Sequence, residues 1–475
     1  GTETLNQVEQ NSREIVAHLA KHVNSSVDIV FKSVLTTSDD IFEAFQKSNH
    51  DSDCIGLMAW MHTFSPAQMW IRGLGALKKP LLHFHTQHNR DIPWNDIDMD
   101  FMNLNQAAHG DREFGFICSR MKIRRHVVVG HWKDQTVIDD IESWTRVALA
   151  WNESQGLKVA RLGDNMRNVA VTEGDKVEAH KTFGWSVSGY GIGELAQRVN
   201  EVSQGDISAL IDEYYQLYQI TPEVTSDADN NSRLMEAARI ELGLTRFLEE
   251  GGFKAFTTTF EDLHGLKQLP GLSVQRLMEK GYGFGAEGDW KTSALLRCMK
   301  VMTEGMKDGT SFMEDYTYHL DPSGMKVLGA HMLEICPSVA EDKPKLEVHP
   351  LSIGGKDDPA RLVFNVKEGD GLNASLLDMG NRFRLLVNTI KAVKPVNTPK
   401  LPVAKALWVP KPDLRTSATA WIYAGGAHHT AFSFDASQEQ LELFAEMAGI
   451  EFLLIDENTK IRDFKNQLRW NENAF

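Results

Sequence analysis

Phe253-Lys254-Ala255-Phe256-Thr257-Thr258-Thr259-Phe260 is a near-continuous run of apolar and β-branched residues, which predicts a strand buried on both faces. After it, Ser273 is a suitable N-cap for a helical pattern that stops at Gly281. The same alternation of short apolar runs and helical patterns fills the chain on the N-terminal side of this stretch. Apolar strands separated by helices are typical of a parallel sheet covered on both faces. The sequence therefore predicts an α/β fold.

The α/β pattern starts twice, which predicts two α/β domains. A strand-first pattern begins again at Leu157, so we place an N-terminal domain at residues 1–156 and a central domain at residues 157–310. In the N-terminal domain, the strand-like runs are residues 27–31, 54–58, 80–84 and 126–129.

From about residue 326 the pattern becomes β-rich. Short apolar runs at residues 326–333, 345–351, 361–366, 383–387 and 406–409 are separated by Gly, Pro, Asn and Asp turns. Long helices are predicted to return only after Ser437. We therefore expect a β-rich C-terminal domain at residues 311–475 with a helical tail.

Composition and charge exclude several kinds of partner. The chain has 65 acidic and 50 basic residues and a net charge of −15, which disfavours nucleic acid and anionic membranes as partners. No apolar run is long enough to span a membrane, and no leader pattern precedes the first segment. The four cysteines form no C-x-x-C pair, so we expect free thiols in a reducing compartment and a cytoplasmic protein.

Two carboxylates and two imidazoles in the second half of the chain are candidate ligands of a divalent cation: Glu287, Glu314, His331 and His429. Glu287 lies in a Gly-rich turn, and Glu314 lies among apolar and aromatic neighbours, where an unpaired carboxylate carries a large desolvation cost. A mixed oxygen and nitrogen set favours Mn, Co, Fe or Mg.

Each candidate also has a structural interpretation. Glu287 could be a solvated turn residue, Glu314 a carboxylate bonded to backbone amides, and His331 a hydrogen-bonded core histidine. His428 and His429 are adjacent, so we expect only one of them to face a metal, with the other left for a neighbouring or substrate contact.

Long blocks of the chain resemble the L-arabinose isomerase family across essentially its whole length. Two of them are Trp60-Met61-His62-Thr63-Phe64-Ser65-Pro66 and Thr257-Thr258-Thr259-Phe260-Glu261-Asp262-Leu263-His264-Gly265. The others are residues 98–106, 109–116, 163–167, 288–292, 310–319 and 354–361.

The resemblance implies a fold, a site and an assembly. The fold is similar to that of fucose isomerases, with two α/β domains followed by a β-rich, barrel-like domain, and six identical subunits form active sites at their interfaces. Glu287, Glu314, His331 and His429 match the metal ligands, usually of Mn²⁺, with Co²⁺ or Mg²⁺ as possible substitutes, and the two glutamates also match the catalytic acid and base. The sugar-pocket positions match Phe64, His109, Met166 and Phe260. Apart from the resemblance, we expect His428, the neighbour of His429, to be a further substrate contact.

The N-terminus departs from the family pattern. Members begin with a short apolar strand that ends in Gly-Ser-Gln-His-Leu-Tyr-Gly, whereas this chain opens at Gly1-Thr2-Glu3-Thr4-Leu5. We therefore expect the first strand of the N-terminal sheet, and a Gln and a Leu near the sugar, to be missing from it.

The chemistry that suits this site is aldose–ketose interconversion, and the resemblance implies that it converts L-arabinose to L-ribulose and D-galactose to D-tagatose. Glu287 and Glu314 would transfer a proton between C2 and C1 through a cis-enediol, and a metal-assisted hydride shift is the competing route. Two other classes stay open at this point: a glycoside hydrolase that uses paired glutamates and a non-catalytic sugar-binding protein.

Overall fold

The computed structural model describes residues 1–475, which form two compact units, Gly1–Asn152 and Glu153–Phe475. The first unit is built around a three-stranded parallel sheet in the order β1-β2-β3. Its elements are α1 (Thr2–His22), α2 (Ser38–His50), β1 (Leu57–Ala59), α3 (Ile71–Ala76), β2 (Leu81–His85), α4 (Met99–Leu104), α5 (Ala107–Arg120), β3 (His126–Val129) and α6 (Gln135–Ser154).

One core of the first unit lies between α2, α3, α5 and the sheet. Ile41 and Phe45 of α2 pack with Trp70, Leu81 and Phe114 in a single buried cluster. Burial of large apolar side chains of this kind contributes about 1.5–3 kcal/mol each. This packing holds α5 against the sheet, so that the start of α5 and the carboxyl end of β2 form part of one surface.

The second unit begins with a four-stranded parallel sheet in the order β5-β4-β7-β8. The apolar run at residues 253–260 contains its fully buried strand β7. Its elements are β4 (Lys158–Leu162), α7 (Lys176–Phe183), β5 (Ser186–Tyr190), α8 (Ile192–Asn200), α9 (Gln204–Leu217), β6 (Gln219–Ile220), α10 (Pro222–Ser226), α11 (Ala228–Gly251), β7 (Ala255–Thr258), α12 (Gly271–Glu279), β8 (Gly283–Gly285) and α13 (Trp290–Met302).

The rest of the second unit contains a closed β-barrel. Its remaining elements are β9 (Thr310–His319), β10 (Lys326–Ala330), β11 (Lys345–Val348), β12 (Ala360–Val363), β13 (Gly369–Asp378), β14 (Phe383–Val393), β15 (Lys405–Pro410), α14 (Leu414–Tyr423), β16 (His429–Ser433), α15 (Gln438–Ala448), β17 (Glu451–Ile455) and α16 (Ile461–Ala474). Six antiparallel strands follow one another in the order β13-β16-β9-β10-β15-β14, and β14 pairs again with β13, which closes the ring. β17 adds to β14 in parallel outside the ring, and β12, β11 and β6 form a small separate sheet.

The predicted fold class, parallel-sheet α/β regions followed by a β-rich, barrel-like region, is confirmed. The domain boundaries predicted after residues 156 and 310 stay predictions. None of the helices combines the length and the apolarity that crossing a membrane requires.

Three element predictions were wrong. Ser273 is not a helix N-cap, because α12 begins two residues earlier, at Gly271, with Pro270 in the N-cap position. Residues 27–31 form no strand, because no strand pairs with them; the ring of Phe31 instead lies 4.7 Å from the guanidinium carbon of Arg13. A ten-residue helix, α14, also precedes Ser437. Its threonines lower its helix propensity, but the side chain of Asp413 accepts a hydrogen bond from the backbone N–H of Thr416 and caps its start.

Candidate metal centre

The barrel strand β9 brings Glu314 between the two predicted histidines. Glu314 is paired with His429 of β16 on one side and with Ala330 of β10 on the other. Side chains of directly paired antiparallel residues share one face, with Cβ atoms about 4.5–5.5 Å apart. β10 ends at Ala330 rather than at the predicted residue 333, so His331 stands just beyond the strand, with its Nε2 3.8 Å from Oε2 of Glu314.

Glu287 reaches the same place from the turn between β8 and α13. It has a left-handed backbone with φ of 60°, and Gly288 follows with φ of 85°. The turn is fixed by its backbone, since the Glu287 carbonyl accepts from Met166 N–H and the Gly288 N–H donates to the Thr258 carbonyl. A left-handed backbone costs a residue with a side chain about 1–2 kcal/mol, and such strained residues cluster at functional sites. Here the strain places Oε2 of Glu287 3.8 Å from Nε2 of His429.

The structure thus brings all four predicted ligands together within the second unit. The rings of His331 and His429 lie 5.8 Å apart, and Phe312 packs edge-on against both, at 5.0 and 5.1 Å between ring centres. Both histidines are buried, whereas the side chains of Glu287 and Glu314 are 15% and 19% exposed. The carboxylates therefore cover the imidazoles on the side that solvent reaches.

Two buried carboxylates that sequence analysis missed lie behind the imidazoles. Nδ1 of His331 is 2.5 Å from Oε2 of Glu334, and Nδ1 of His429 is 3.3 Å from Oδ2 of Asp289. A carboxylate at Nδ1 fixes the tautomer and leaves the Nε2 lone pair available as a ligand. Glu334 stands three residues after His331, a spacing that gave a weak signal; Asp289 is 140 residues from its partner and gave none.

Burial and neighbouring charges move the pKa values of these groups in different directions. Burial raises the pKa of Glu314. Burial also acts to raise the pKa of Glu287, but its hydrogen bond with His428 and the nearby imidazoles outweigh it and lower that pKa. For Asp289 burial is likewise outweighed, first by the charge of Lys291, and its pKa falls to about 2. Asp289 is therefore a carboxylate at neutral pH.

The nitrogen and oxygen donor atoms of this cluster are suited to binding a cation. Nε2 of His429 is buried and has no hydrogen-bond partner, although a buried polar atom left unpaired is costly. The ligand atoms that lie within 4.8 Å of one another belong to Glu287, His428 and His429. Of these histidines, His428 is 36% exposed and already bonds Glu287 through Nε2 at 3.4 Å, whereas His429 is fully buried. We therefore favour His429 over His428 as the ligand, because its free nitrogen is the one with no other partner.

The predicted sugar-contacting residues fall in two places. In the first unit, the rings of Phe64 and His109 touch with centres 4.7 Å apart, and Phe64 is 52% exposed. In the second unit, Phe260 lies nearly parallel to the ring of His331 at 6.0 Å. Met166 donates its N–H to the Glu287 turn.

Comparison with known proteins places the whole chain in one family. Three family models match in order: the L-arabinose isomerase N-terminal domain over residues 1–156, the central domain over residues 158–305 and the C-terminal domain over residues 309–451. These matches define the class of the protein as an isomerase.

Individual relatives agree with the family models. The chain is 61% identical to the L-arabinose isomerase of Herpetosiphon aurantiacus over 473 residues, which cover 99% of this chain and 94% of the relative. It is also 61% identical to the L-arabinose isomerase of Geobacillus stearothermophilus over 99% of this chain and 95% of the relative. The chain belongs to the L-arabinose isomerase family. This membership decides against the glycoside hydrolase and the non-catalytic sugar-binding protein.

Proposed function

We propose that the protein interconverts L-arabinose and L-ribulose, and also D-galactose and D-tagatose. One observation carries the proposal: Glu287 and Glu314, from separate segments, meet beside a buried pair of imidazoles whose Nδ1 atoms are both held by carboxylates. An isomerase that moves a hydrogen between neighbouring carbons needs one group to take a proton and another to return it.

The cluster would hold Mn²⁺, with Co²⁺ or Mg²⁺ as substitutes. Glu287 and Glu314 would supply carboxylate oxygens, and His331 and His429 would supply Nε2. Such a cation acts as a Lewis acid towards the carbonyl and hydroxyl oxygens of an open-chain sugar.

The protein residues would then carry out the proton transfer. Glu287 and Glu314 exchange protons with C1, C2 and their oxygens, so that the reaction passes through a cis-enediol. His428 is half-exposed beside Glu287 and would hydrogen-bond a sugar hydroxyl. Phe260 and Phe312 make the inner wall apolar, which restricts water around the reacting carbons.

We also propose that the protein is a cytoplasmic homohexamer with active sites at subunit interfaces. Residues 92–102 of the first unit expose a run of large apolar side chains, which commonly marks a protein–protein contact. They are Ile92, Trp94, Ile97, Met99 and Met102. Phe64 and His109 would complete the sugar pocket of a neighbouring copy. The four cysteines are free thiols, as expected in the reducing cytoplasm.

A metal-replacement assay tests the reaction and the metal together. The protein is stripped with a chelator, Mn²⁺, Co²⁺ or Mg²⁺ is restored separately, and ketose formation is measured from a panel of aldoses. We expect activity with L-arabinose and D-galactose that is lost on stripping and restored best by Mn²⁺. Full activity in the stripped protein would contradict the proposed metal requirement. Inactivity of every metallated form would contradict the proposed isomerase activity.

Solvent isotope exchange tests the route. The reaction is run in D₂O, and deuterium at C1 of the ketose is measured by NMR. The enediol route predicts deuterium from solvent at that carbon, because the transferred proton resides on a glutamate. A ketose without solvent deuterium at C1 would favour the hydride shift instead.

A further inference from the structure

Asp111 of the first unit joins two histidines at the carboxyl end of β2. Its Oδ1 lies 2.9 Å from Nε2 of His83, and its Oδ2 lies 2.6 Å from Nδ1 of His85. Oδ1 also accepts a hydrogen bond from the backbone N–H of Met61 at 3.2 Å. Asp111 is only 3% exposed, and a buried carboxylate with several partners in fixed places holds those partners rigidly.

The two histidines differ in what they present to solvent. His83 is buried, whereas 31% of the His85 side chain is exposed. With Nδ1 directed at Asp111, the other nitrogen of His85 makes no hydrogen bond within the chain. The hydrogen bond with Asp111 raises the pKa of His85 although burial opposes it. His85 therefore offers one oriented nitrogen, held at the carboxyl end of a parallel strand, where ligands of α/β sheets commonly bind.

Asp111 also connects this nitrogen to the exposed aromatic pair. Met61, its backbone partner, stands three residues before Phe64, and His109 stands two residues before Asp111 on α5. The helix start lies tightly on the loop, because a Cβ on Gly110 would come within 2.5 Å of the Thr63 carbonyl oxygen. One buried carboxylate thus fixes the segments that carry Phe64, His109 and His85.

We propose that His85 is a further sugar-contacting residue, whose Nε2 hydrogen-bonds a hydroxyl of the aldose, and that Asp111 is the positioning residue that aims it. The inference rests on the proposed function, since it takes the aldose as the ligand of this surface.

Two substitutions of His85 separate the proposed hydrogen bond to the sugar from the hydrogen bond to Asp111. Asparagine places an N–H where Nδ1 stands and removes the outer nitrogen, whereas glutamine keeps a nitrogen near the outer position and removes the donor to Asp111. We expect His85→Asn to raise the KM for L-arabinose about 3- to 10-fold, the value of one hydrogen bond. Its kcat and Tm stay within experimental error of the parent, because a uniform binding contact is lost. His85→Gln keeps a KM nearer to the parent and lowers the Tm.

His88 provides the matched control. Its side chain is also 31% exposed and also pairs with a carboxylate, that of Glu14 at 3.0 Å, but it does not contact Asp111. His88→Asn is expected to leave the KM unchanged. A parental KM in His85→Asn, or an equal rise in both asparagine variants, would overturn the inference. If the parent forms no ketose from any aldose, the proposed function fails instead.

The positioning role of Asp111 has its own readout. We expect Asp111→Asn to raise KM, and the double variant Asp111→Asn, His85→Asn to raise it no further, because both changes act on one contact. Multiplying effects in the double variant would show that Asp111 acts elsewhere, and would leave it as a structural tether.

Discussion

Glu334 should control how tightly the centre binds its metal, although it is not itself a candidate ligand. A single oxygen, Oε2, accepts from Nδ1 of His331 at 2.5 Å and from the backbone N–H of Leu333 at 2.9 Å. The side chain is 4% exposed, so its charge acts on the imidazole with little screening by water.

The geometry predicts a different loss of metal affinity for each of two substitutions of Glu334. In Glu334→Gln the amide oxygen can take the place of Oε2 and keep both hydrogen bonds, so that only the charge is lost. In Glu334→Ala both bonds are lost, and His331 is free to turn. Loss of such an outer partner weakens metal binding by about 10- to 100-fold, which is about 1.4 to 2.7 kcal/mol. We expect the loss of metal affinity to lie near the lower figure in Glu334→Gln and near the upper figure in Glu334→Ala.

Calorimetric titration of Mn²⁺ into the stripped protein measures this directly. Glu347 provides the control, because its carboxylate also lies against a histidine, 2.6 Å from Nε2 of His349, but pairs with none of the four candidate ligands. Glu347→Ala should bind Mn²⁺ as the parent does. The reasoning is refuted if folded Glu334→Ala binds within twofold of the parent, or if Glu347→Ala is weakened equally.

Three further predictions concern the framework of the second unit. Phe312→Ala should lower the free energy of unfolding by about 3–5 kcal/mol in urea titrations, because a fully buried ring between the two imidazoles is removed. Burial acts to raise the pKa of Glu451, but hydrogen bonds led by that from Arg384 lower it. The stability from this pair is therefore full above the unfolded pKa of about 4.3 and is lost as the pH falls through the lower folded value; Glu451→Gln should flatten the acid side of the stability profile. Gly329→Ala should displace β10 and lower the Tm, since its Cβ would come 1.8 Å from a ring carbon of Trp408.

The α/β part of the fold could be predicted because its signals are local. A buried parallel strand is an uninterrupted apolar run, and residues 253–260 contain β7 with two residues to spare at each end. The closed ring could not be derived in this way. Its closure depends on β13 pairing with both β14 and β16, and the second partner lies more than fifty residues away along the chain. Nothing local specifies such a pairing.

The candidate site also has a part that could be predicted from the sequence and a part that could not. Donor chemistry and family resemblance selected Glu287, Glu314, His331 and His429, and the structure places these four side by side. The carboxylate that orients His429 could not be predicted from the sequence. Asp289 meets His429 only after α13 and β16 have packed together. A carboxylate at the start of a helix is usually an N-cap, and Asp289 also serves that role by accepting from Thr292 N–H. Its second role gave no sequence signal.

The pairing of Glu314 with His429 depends on contacts made elsewhere along β16. A slip of one residue between β9 and β16 would exchange the two faces of the strand and turn His429 away from Glu314. Two buried hydroxyl contacts hold the register: Thr310 Oγ1 lies 2.7 Å from Ser433 Oγ, and Thr430 Oγ1 donates to Asn373 Oδ1 at 3.0 Å. Each of them joins β16 to a different neighbouring strand, so a slip on either side would leave buried hydroxyl groups unpaired. The position of His429 opposite Glu314 is therefore set by side-chain contacts between strands that involve neither of these two residues.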